Sequence, residues 1–302
     1  MFYLKKNKIT FFTLAILICF AIISAFNVDR EFKMRVLSYK TTILRCDSEL
    51  KGDSSFDDMC REYKNWGGPR RSDSSAPLIF LDIVQDNVFM SLQIILPFLI
   101  LMCSIFNLNK KIKSGWIKNE LTRKKYNRFI FFEWLDSVKQ LWIIPFVFIF
   151  VFFLSYCMTG NLNYHNSYIG ALDRINILQD YYLPFFSDFF RNYPFSLFIY
   201  FINFILQGIF IINLGYIMTR KTGNYIVSVI SAFIIYNCIW IILEFIPSMI
   251  GKQELRDYFS FSSIWIHTNW IVFFIQLFFA AFSSLFVYLL YKNKEEVLSL
   301  NE

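Results

Sequence analysis

Long apolar runs separated by polar stretches dominate the pattern of this chain. A helix rises about 1.5 Å per residue, so crossing a hydrocarbon core of roughly 30 Å takes roughly 20 apolar residues. Runs of about this length occupy residues 9–26, 88–108, 141–158, 195–218, 225–246 and 270–291. They are apolar all round, whereas helices of soluble proteins carry a polar face. Hydrocarbon offers the backbone no hydrogen-bond partners, so the pattern predicts an all-α polytopic membrane protein with six transmembrane helices.

The positive charge between these runs predicts their orientation. Loop 109–140 carries nine basic residues against three acids, and the N-terminal stretch before the first span is also basic. Loop 27–87 is balanced, with ten basic residues against eleven acids. Because Lys and Arg accumulate on the cytoplasmic side, both termini and loop 109–140 are predicted to be cytoplasmic.

The same rule predicts a large extracellular loop, 27–87, between spans one and two, and a second extracellular segment at 247–269. The formal net charge of +7 then reflects topology, so no nucleic-acid partner is expected. The expected setting is the plasma membrane of a bacterium, where the protein is a multi-pass chain surrounded by lipids.

An alternative concerns the first apolar run. Lys5, Lys6 and Lys8 followed by an apolar stretch also fit a cleaved signal peptide. Cleavage would leave five spans and an N-terminus outside. No A-x-A site follows the run, which favours a retained span.

Cys46 and Cys60 both fall in the predicted outer loop, where an oxidising environment permits a disulfide. Closing a loop of about 14 residues stabilises a fold by roughly 3 kcal/mol in the chain-entropy account. The alternative is two free thiols. The remaining cysteines lie within spans and are interpreted as apolar fillers: Cys19, Cys103, Cys157 and Cys238.

Motifs for catalysis or metal binding are scarce. The two histidines, His165 and His267, are far apart, and neither belongs to a zinc-binding spacing. No G-x-S-x-G nucleophile elbow occurs. The pair Gly251-Lys252 lacks the upstream Gly and following Ser or Thr of a phosphate-binding loop. We therefore expect no enzyme activity, no metal and no cofactor in this chain.

Polar residues inside the spans are the next candidates. Glu244 is the one acid well within a predicted span, and an intramembrane acid often serves a transport path or gate. It also lies about one turn before Pro247, so it could instead reach the interface or pair helices. The span amides are expected to form helix–helix hydrogen bonds, typically around 0.6 kcal/mol each. They are Asn203, Gln207, Asn213, Asn237 and Gln276.

The stretch 114–129 in the basic loop is the strongest local signal. It combines many Lys and Arg residues with apolar positions such as Trp116 and Tyr126. One interpretation is an amphipathic helix lying on anionic headgroups. The other is a short helix that docks on a partner protein.

Six residues of this stretch follow the pattern G-x-I-x-N-x-L-x-R with a second Arg and an aromatic further on. They are Gly115, Ile117, Asn119, Leu121, Arg123 and Arg128. The pattern and the six-span plan resemble the permease subunits of type-2 ABC exporters. Two positions depart from the family pattern: Asn127 stands where Ser is usual, and Glu133–Trp134 lies near where a Gly-Lys pair often leads into span three.

The resemblance implies that these residues, with Glu120 among them, form a coupling helix. It would contact a separate ABC ATP-binding subunit that holds ATP and Mg, and a second permease would complete the path. Segment 247–269, including Trp265, would re-enter the membrane from outside near the exit. The implied function is the membrane-spanning permease subunit of an ATP-driven exporter for an amphipathic or hydrophobic substrate, such as an antimicrobial peptide or lipid.

A different class of function remains open beside it. The chain could be a non-transport membrane sensor, immunity or assembly protein whose outer loop binds a ligand. Association with an ATP-binding cassette protein separates the two hypotheses.

Overall fold

The structure is a computed structural model, and it describes residues 2–48, 60–62, 64–65, 67–68, 76–113, 126–160, 193–249 and 270–292. These residues are almost entirely helical and contain no strand. The helices are α1 (Phe2–Ser48), α2 (Ala76–Gln85), α3 (Asn87–Ser104), α4 (Phe106–Lys113), α5 (Tyr126–Val138), α6 (Ile143–Thr159), α7 (Tyr193–Thr222), α8 (Tyr225–Met249) and α9 (Trp270–Leu290). A 3₁₀ turn, Lys139–Trp142, joins α5 to α6.

Five helical stretches of the described chain are long and apolar enough to cross a membrane. They are Lys8–Asp47, Ile94–Ile112, Arg128–Thr159, Phe201–Thr222 and Phe273–Leu290. The predicted fifth span corresponds to α8, whose described apolar part, Tyr225–Ile239, is shorter. The apolar helices fit a membrane protein, as the hydrophobic pattern predicts.

Helix α1 is much longer than the apolar run within it. It has 47 residues and therefore extends about 70 Å at about 1.5 Å per residue. Helical backbone continues without a break beyond the first apolar run, through the first part of loop 27–87, and ends at Ser48.

Asp86 lies just before α3, whose start at Asn87 agrees with the predicted start of the second span at residue 88. Its carboxylate accepts the backbone N–H of Val88 at 3.1 Å, as an N-cap side chain does at the start of α3. It also accepts the Asn27 side-chain amide at 3.3 Å. The helix before it, α2, lies within the predicted outer loop.

The chain divides into two compact units. The first comprises Met1–Ile18, Met90–Phe148 and Asn176–Glu302, and the second comprises Cys19–Phe89 and Ile149–Ile175. In the first unit α7 packs against both α8 and α9. In the second, the Tyr39 ring covers Gly68, where an added Cβ would lie 2.5 Å from the ring.

Within the first unit, α7 and α9 run parallel. The Phe210 and Phe279 rings are tilted by 60° with centroids 5.5 Å apart, and the Tyr216 and Tyr291 ring centroids are 5.9 Å apart. Close approach of α7 to α3 depends on Gly215. An added Cβ there would lie 2.7 Å from the Leu101 and Ile105 side chains, so the position requires a small residue.

A two-residue turn reverses the chain between α7 and α8. Gly223 adopts φ 60°, a left-handed conformation that favours glycine, and its N–H donates to the Thr219 carbonyl at 3.1 Å. The Asn224 side chain then accepts the Ile226 N–H at 3.1 Å and caps α8. The two helices therefore form a tight antiparallel hairpin.

Candidate functional site

The ends of the basic loop are held together by an ion pair. Helix α4 ends at Lys113 and α5 begins at Tyr126, and the Lys111 ammonium pairs with the Glu133 carboxylate across this gap. Their side chains are 22% and 11% exposed, so the pair is largely buried. The base of the loop is therefore closed by a direct contact between α4 and α5.

Most of the predicted coupling residues fall between α4 and α5 in the sequence. Gly115, Ile117, Asn119, Glu120, Leu121 and Arg123 fall outside the described residues. Arg128 is described, is exposed, and places its guanidinium carbon 5.6 Å from the centre of the Phe132 ring. Phe131 and Phe132 are also exposed, so this side of α5 presents a basic and aromatic surface.

Trp134 connects α5 to two of the long apolar helices. Its indole N–H donates to the Asn213 side-chain oxygen of α7 at 2.8 Å. The Asn213 amide nitrogen in turn donates to the Ser283 and Ser284 hydroxyls of α9, at 2.8 and 2.9 Å. Asn213 is fully buried, and this arrangement uses its oxygen and both of its hydrogens.

Ser137 joins α5 to α3 and α7 one turn further on. Its hydroxyl donates to the Ser104 carbonyl at 2.7 Å and lies 2.9 Å from the Tyr216 hydroxyl. The Tyr291 hydroxyl donates to the Tyr216 carbonyl at 2.9 Å. We call these contacts the loop-base network: the pair Lys111–Glu133, the set Trp134, Asn213, Ser283 and Ser284, and the set Ser104, Ser137, Tyr216 and Tyr291.

Tyr126 begins α5 beside this network. Burial raises the pKa of its phenol to about 12, and the positive charge of Arg220 acts in the opposite direction. Within the described residues its hydroxyl has no hydrogen-bond partner. The phenol is therefore neutral at physiological pH and adds no charge to the loop base.

The first unit contains a small cavity among its described residues. A cavity between α1, α3 and the start of α6 has a volume of about 10 Å³, which is roughly the space of one water molecule. Its walls include Thr13, Leu17, Leu96, Cys103, Gln140 and Leu141. This place is too small to hold a substrate.

The predicted disulfide is present in the second unit. It joins Cys46 to Cys60 across 14 residues of sequence, with the two Cα atoms 5.7 Å apart. Lys64 forms an ion pair with Asp47 at 2.6 Å beside it. The bridge therefore fixes the end of α1 to the chain that follows. The other cysteines, Cys19, Cys103, Cys157 and Cys238, form no disulfide.

Neither residue predicted to line a transport path, Glu244 or Trp265, has a side chain within the described part of the structure. Glu244 lies in α8, but its side chain is outside the described part, and Trp265 falls outside the described residues. Their roles in transport or gating stay predictions. The described ranges contain no cluster of His, Cys, Asp and Glu suited to a metal ion.

Sequence reasoning missed Glu133 and Trp134, which it treated only as departures from a family pattern. Both form the contacts that fasten the basic loop to the helices. The available signal was an acid followed directly by Trp in a loop otherwise rich in Lys and Arg.

A comparison of the chain with protein-family models, with curated proteins and with solved structures finds no match.

Proposed function

We propose that the chain is the membrane-spanning permease subunit of an ATP-driven exporter. The observation that supports this proposal best is the closed base of the basic loop. Helices α4 and α5, which flank residues 114–125 in the sequence, are joined by the ion pair between Lys111 and Glu133. Through Trp134 and Asn213 the loop base is also tied to α7 and α9. When a docked partner displaces this loop, the displacement is transmitted to several helices at once.

The proposed topology has six spans, with both termini in the cytoplasm and residues 27–87 outside. Three segments predicted to be cytoplasmic lie near one another in support of this topology. Ser137, near the end of the basic loop, contacts Tyr216, one turn before Arg220, and Tyr291, just after α9, contacts Tyr216 as well. Basic loops and termini on one side agree with the positive-inside rule. The Cys46–Cys60 bridge fits an oxidising compartment on the other side.

The proposed mechanism is alternating access without covalent chemistry in this chain. A separate ATP-binding subunit holds ATP and Mg, docks on the helix containing Gly115, Glu120 and Arg123, and moves it when ATP binds. Buried hydrogen bonds are strong in a low-dielectric interior, so the network moves α5, α7 and α9 together. A second permease copy or relative encloses the path, and an amphipathic or hydrophobic substrate leaves the cell.

Affinity purification from native membranes tests this function. The tagged full chain is expected to co-purify with an ATPase, and the double reversal Glu120→Arg, Arg123→Glu should reduce the bound ATPase at least tenfold. A matched control reverses the exposed neighbours Arg61 and Glu62 in the second unit and should leave association intact. Purification without any ATPase, or equal association of both variants, contradicts the proposal.

A second candidate is a membrane sensor, immunity or assembly protein whose outer loop binds a ligand. The observation in its favour is the disulfide-tied extension of α1. Met34, Leu37 and Leu44 on this extension are 59%, 53% and 66% exposed, which is unusual for large apolar side chains. An ATPase-free preparation that still binds a ligand through these residues would favour this candidate.

A further inference from the structure

Two neighbouring amides on α7 lack the partners that buried amides normally have. Asn203 is 0% exposed, and neither its side-chain oxygen nor its nitrogen has a hydrogen-bond partner among the described residues. Gln207, one turn later and 2% exposed, donates to the Tyr236 hydroxyl at 2.8 Å, but its own side-chain oxygen is unpaired within the same part of the chain. Buried polar groups usually find partners, so this departure needs an explanation.

The unpaired groups lie close together on one face. Residues four apart on a helix are neighbours, about 6 Å apart along the axis. Contacting pairs of α7 and α9 differ by 69 to 71 residues, as in Phe210–Phe279, Asn213–Ser283 and Asn213–Ser284. The same offset puts buried Gln276 of α9 at the level of Gln207. A layer of uncharged amides therefore lies midway along the apolar part of α7.

The surroundings determine which guest suits this layer. Helix α9 contains no charged residue, α7 has none before Arg220, and α8 has none from Tyr225 to Leu243, the residue before Glu244. A charged guest would find no opposite charge to pair with there, whereas a neutral polar guest needs only hydrogen-bond partners. The free carboxamide of Asn203 offers both donor hydrogens and an acceptor oxygen, and Gln207 adds an acceptor. A secondary amide, with one N–H and one C=O, complements this set.

We propose that Asn203 and Gln207 form a binding site for an uncharged secondary amide carried by an apolar molecule. The inference rests on the proposed exporter function and narrows its substrate class. The amide can come from an apolar peptide or from an amide-bearing lipid. Asn203 is fully buried, and Gln207 beside it contacts Tyr236 of α8, so the site opens to its guest when α8 moves away from α7.

The test measures binding to the purified full chain in neutral detergent micelles, without ATP or any partner. The probes are a fluorescent uncharged Leu/Ala octapeptide, the same peptide with every backbone nitrogen methylated, a short-chain ceramide and the matching diacylglycerol. Methylation removes the N–H donors, so the methylated peptide is expected to bind about fivefold more weakly. Preference for ceramide over diacylglycerol, without a preference between the peptides, would assign the amide to a lipid.

Substitutions connect the effect to the site. Asn203→Leu and Gln207→Leu are each expected to weaken the unmethylated amide probe about fivefold and to leave its amide-free counterpart unchanged. Asn237→Leu is the matched control, because the Asn237 amide donates to the Phe233 carbonyl of its own helix at 2.8 Å. It should bind all probes as the unaltered chain does.

Three results would overturn the site. The first is equal binding of amide and amide-free probes, including no binding of either, and the second is an unchanged preference in the Asn203→Leu protein. The third is a lower unfolding temperature of Asn203→Leu, which would mean that its amide is already paired, for example by a structural water. Each of these leaves ATPase association intact, so failure of the site is distinguishable from failure of the exporter function.

Discussion

Asn213 and Asn203 lie ten residues apart on α7, and they are equally buried. Both are 0% exposed, yet Asn213 makes three hydrogen bonds to α5 and α9 whereas Asn203 makes none within the described chain. Residue type and burial are therefore the same, and only the available partners differ. Near Asn213, α7 is hydrogen-bonded to α5 and α9. Near Asn203, a buried amide leaves its donors and its acceptor unused within the described chain.

This difference separates two uses of a polar residue in an apolar setting. A paired amide holds helices together, typically for around 0.6 kcal/mol per bond. An unpaired amide costs about 1–3 kcal/mol because its hydration is lost without replacement. Substitution by an apolar residue of similar size should therefore act in opposite directions at the two sites.

The largest effect is expected for Asn213→Leu. It removes three hydrogen bonds and should lower the free energy of unfolding by about 2 kcal/mol. Reversible unfolding in mixed micelles measures the change. Asn237→Leu, which removes an amide bonded to its own helix, is the control and should change the value by less than about 0.5 kcal/mol. Equal losses in the two variants would show that the Asn213 contacts do not fasten α7.

Glu133→Gln should follow, with a loss of about 1.5 kcal/mol. The substitution removes the ionised acceptor of a largely buried Lys111, and hydrogen bonds to charged groups are the stronger kind. A double-mutant cycle with Lys111→Met isolates the pair, and the coupling energy should be about 1 kcal/mol. Additive losses would mean that the loop base is not held by this ion pair.

Asn203→Leu is expected to raise the free energy of unfolding by about 1 kcal/mol, near the lower end of the cost of an unpaired buried amide. The same unfolding measurement in mixed micelles applies. The sign of the change in the free energy of unfolding distinguishes Asn203 from Asn213. A lower free energy of unfolding in Asn203→Leu would mean that Asn203, like Asn213, stabilises the fold through hydrogen bonds.

The smallest effect concerns pH at the loop base. Since burial raises the pKa of Tyr126 to about 12, the unfolded phenol loses its proton at lower pH than the folded one. Between about pH 10 and 12 the unfolded state binds fewer protons, so stability falls as pH rises. Tyr126→Phe should make the decline between about pH 10 and 12 shallower, and it should raise stability slightly at pH 7 because it removes a buried hydroxyl that has no partner in the described chain. An identical slope in both proteins would contradict the assignment.

The apolar pattern predicted the helices well because length and hydropathy are local properties. The predicted span 270–291 compares with α9 at Trp270–Leu290, and span 141–158 compares with the 3₁₀ turn plus α6. The start of α3 at Asn87 was predicted to within one residue, but the break between α3 and α4 at Ile105, inside the predicted span 88–108, was not. The excess of Lys and Arg near some span ends predicted which segments are cytoplasmic, and this orientation stays a prediction.

The pairing of polar residues was less predictable because it depends on contacts distant in sequence. The sequence treated Asn203, Gln207, Asn213 and Asn237 alike, as helix–helix hydrogen bonders. Asn213 and Gln207 bond neighbouring helices, Asn237 bonds its own helix, and Asn203 bonds nothing in the described chain. Only the register of α7 against α5, α8 and α9 distinguishes these outcomes.

The tight Gly223–Asn224 turn has a consequence for biosynthesis. Both helix ends at the turn are capped locally, so α7 and α8 can enter the bilayer as one helical hairpin as soon as both have been synthesised. Until α9 is made, the Asn213 amide nitrogen lacks its acceptors Ser283 and Ser284, which are synthesised about 70 residues later. A chain that stops before α9 would therefore carry an unsatisfied amide, a feature by which quality control could recognise an incomplete product.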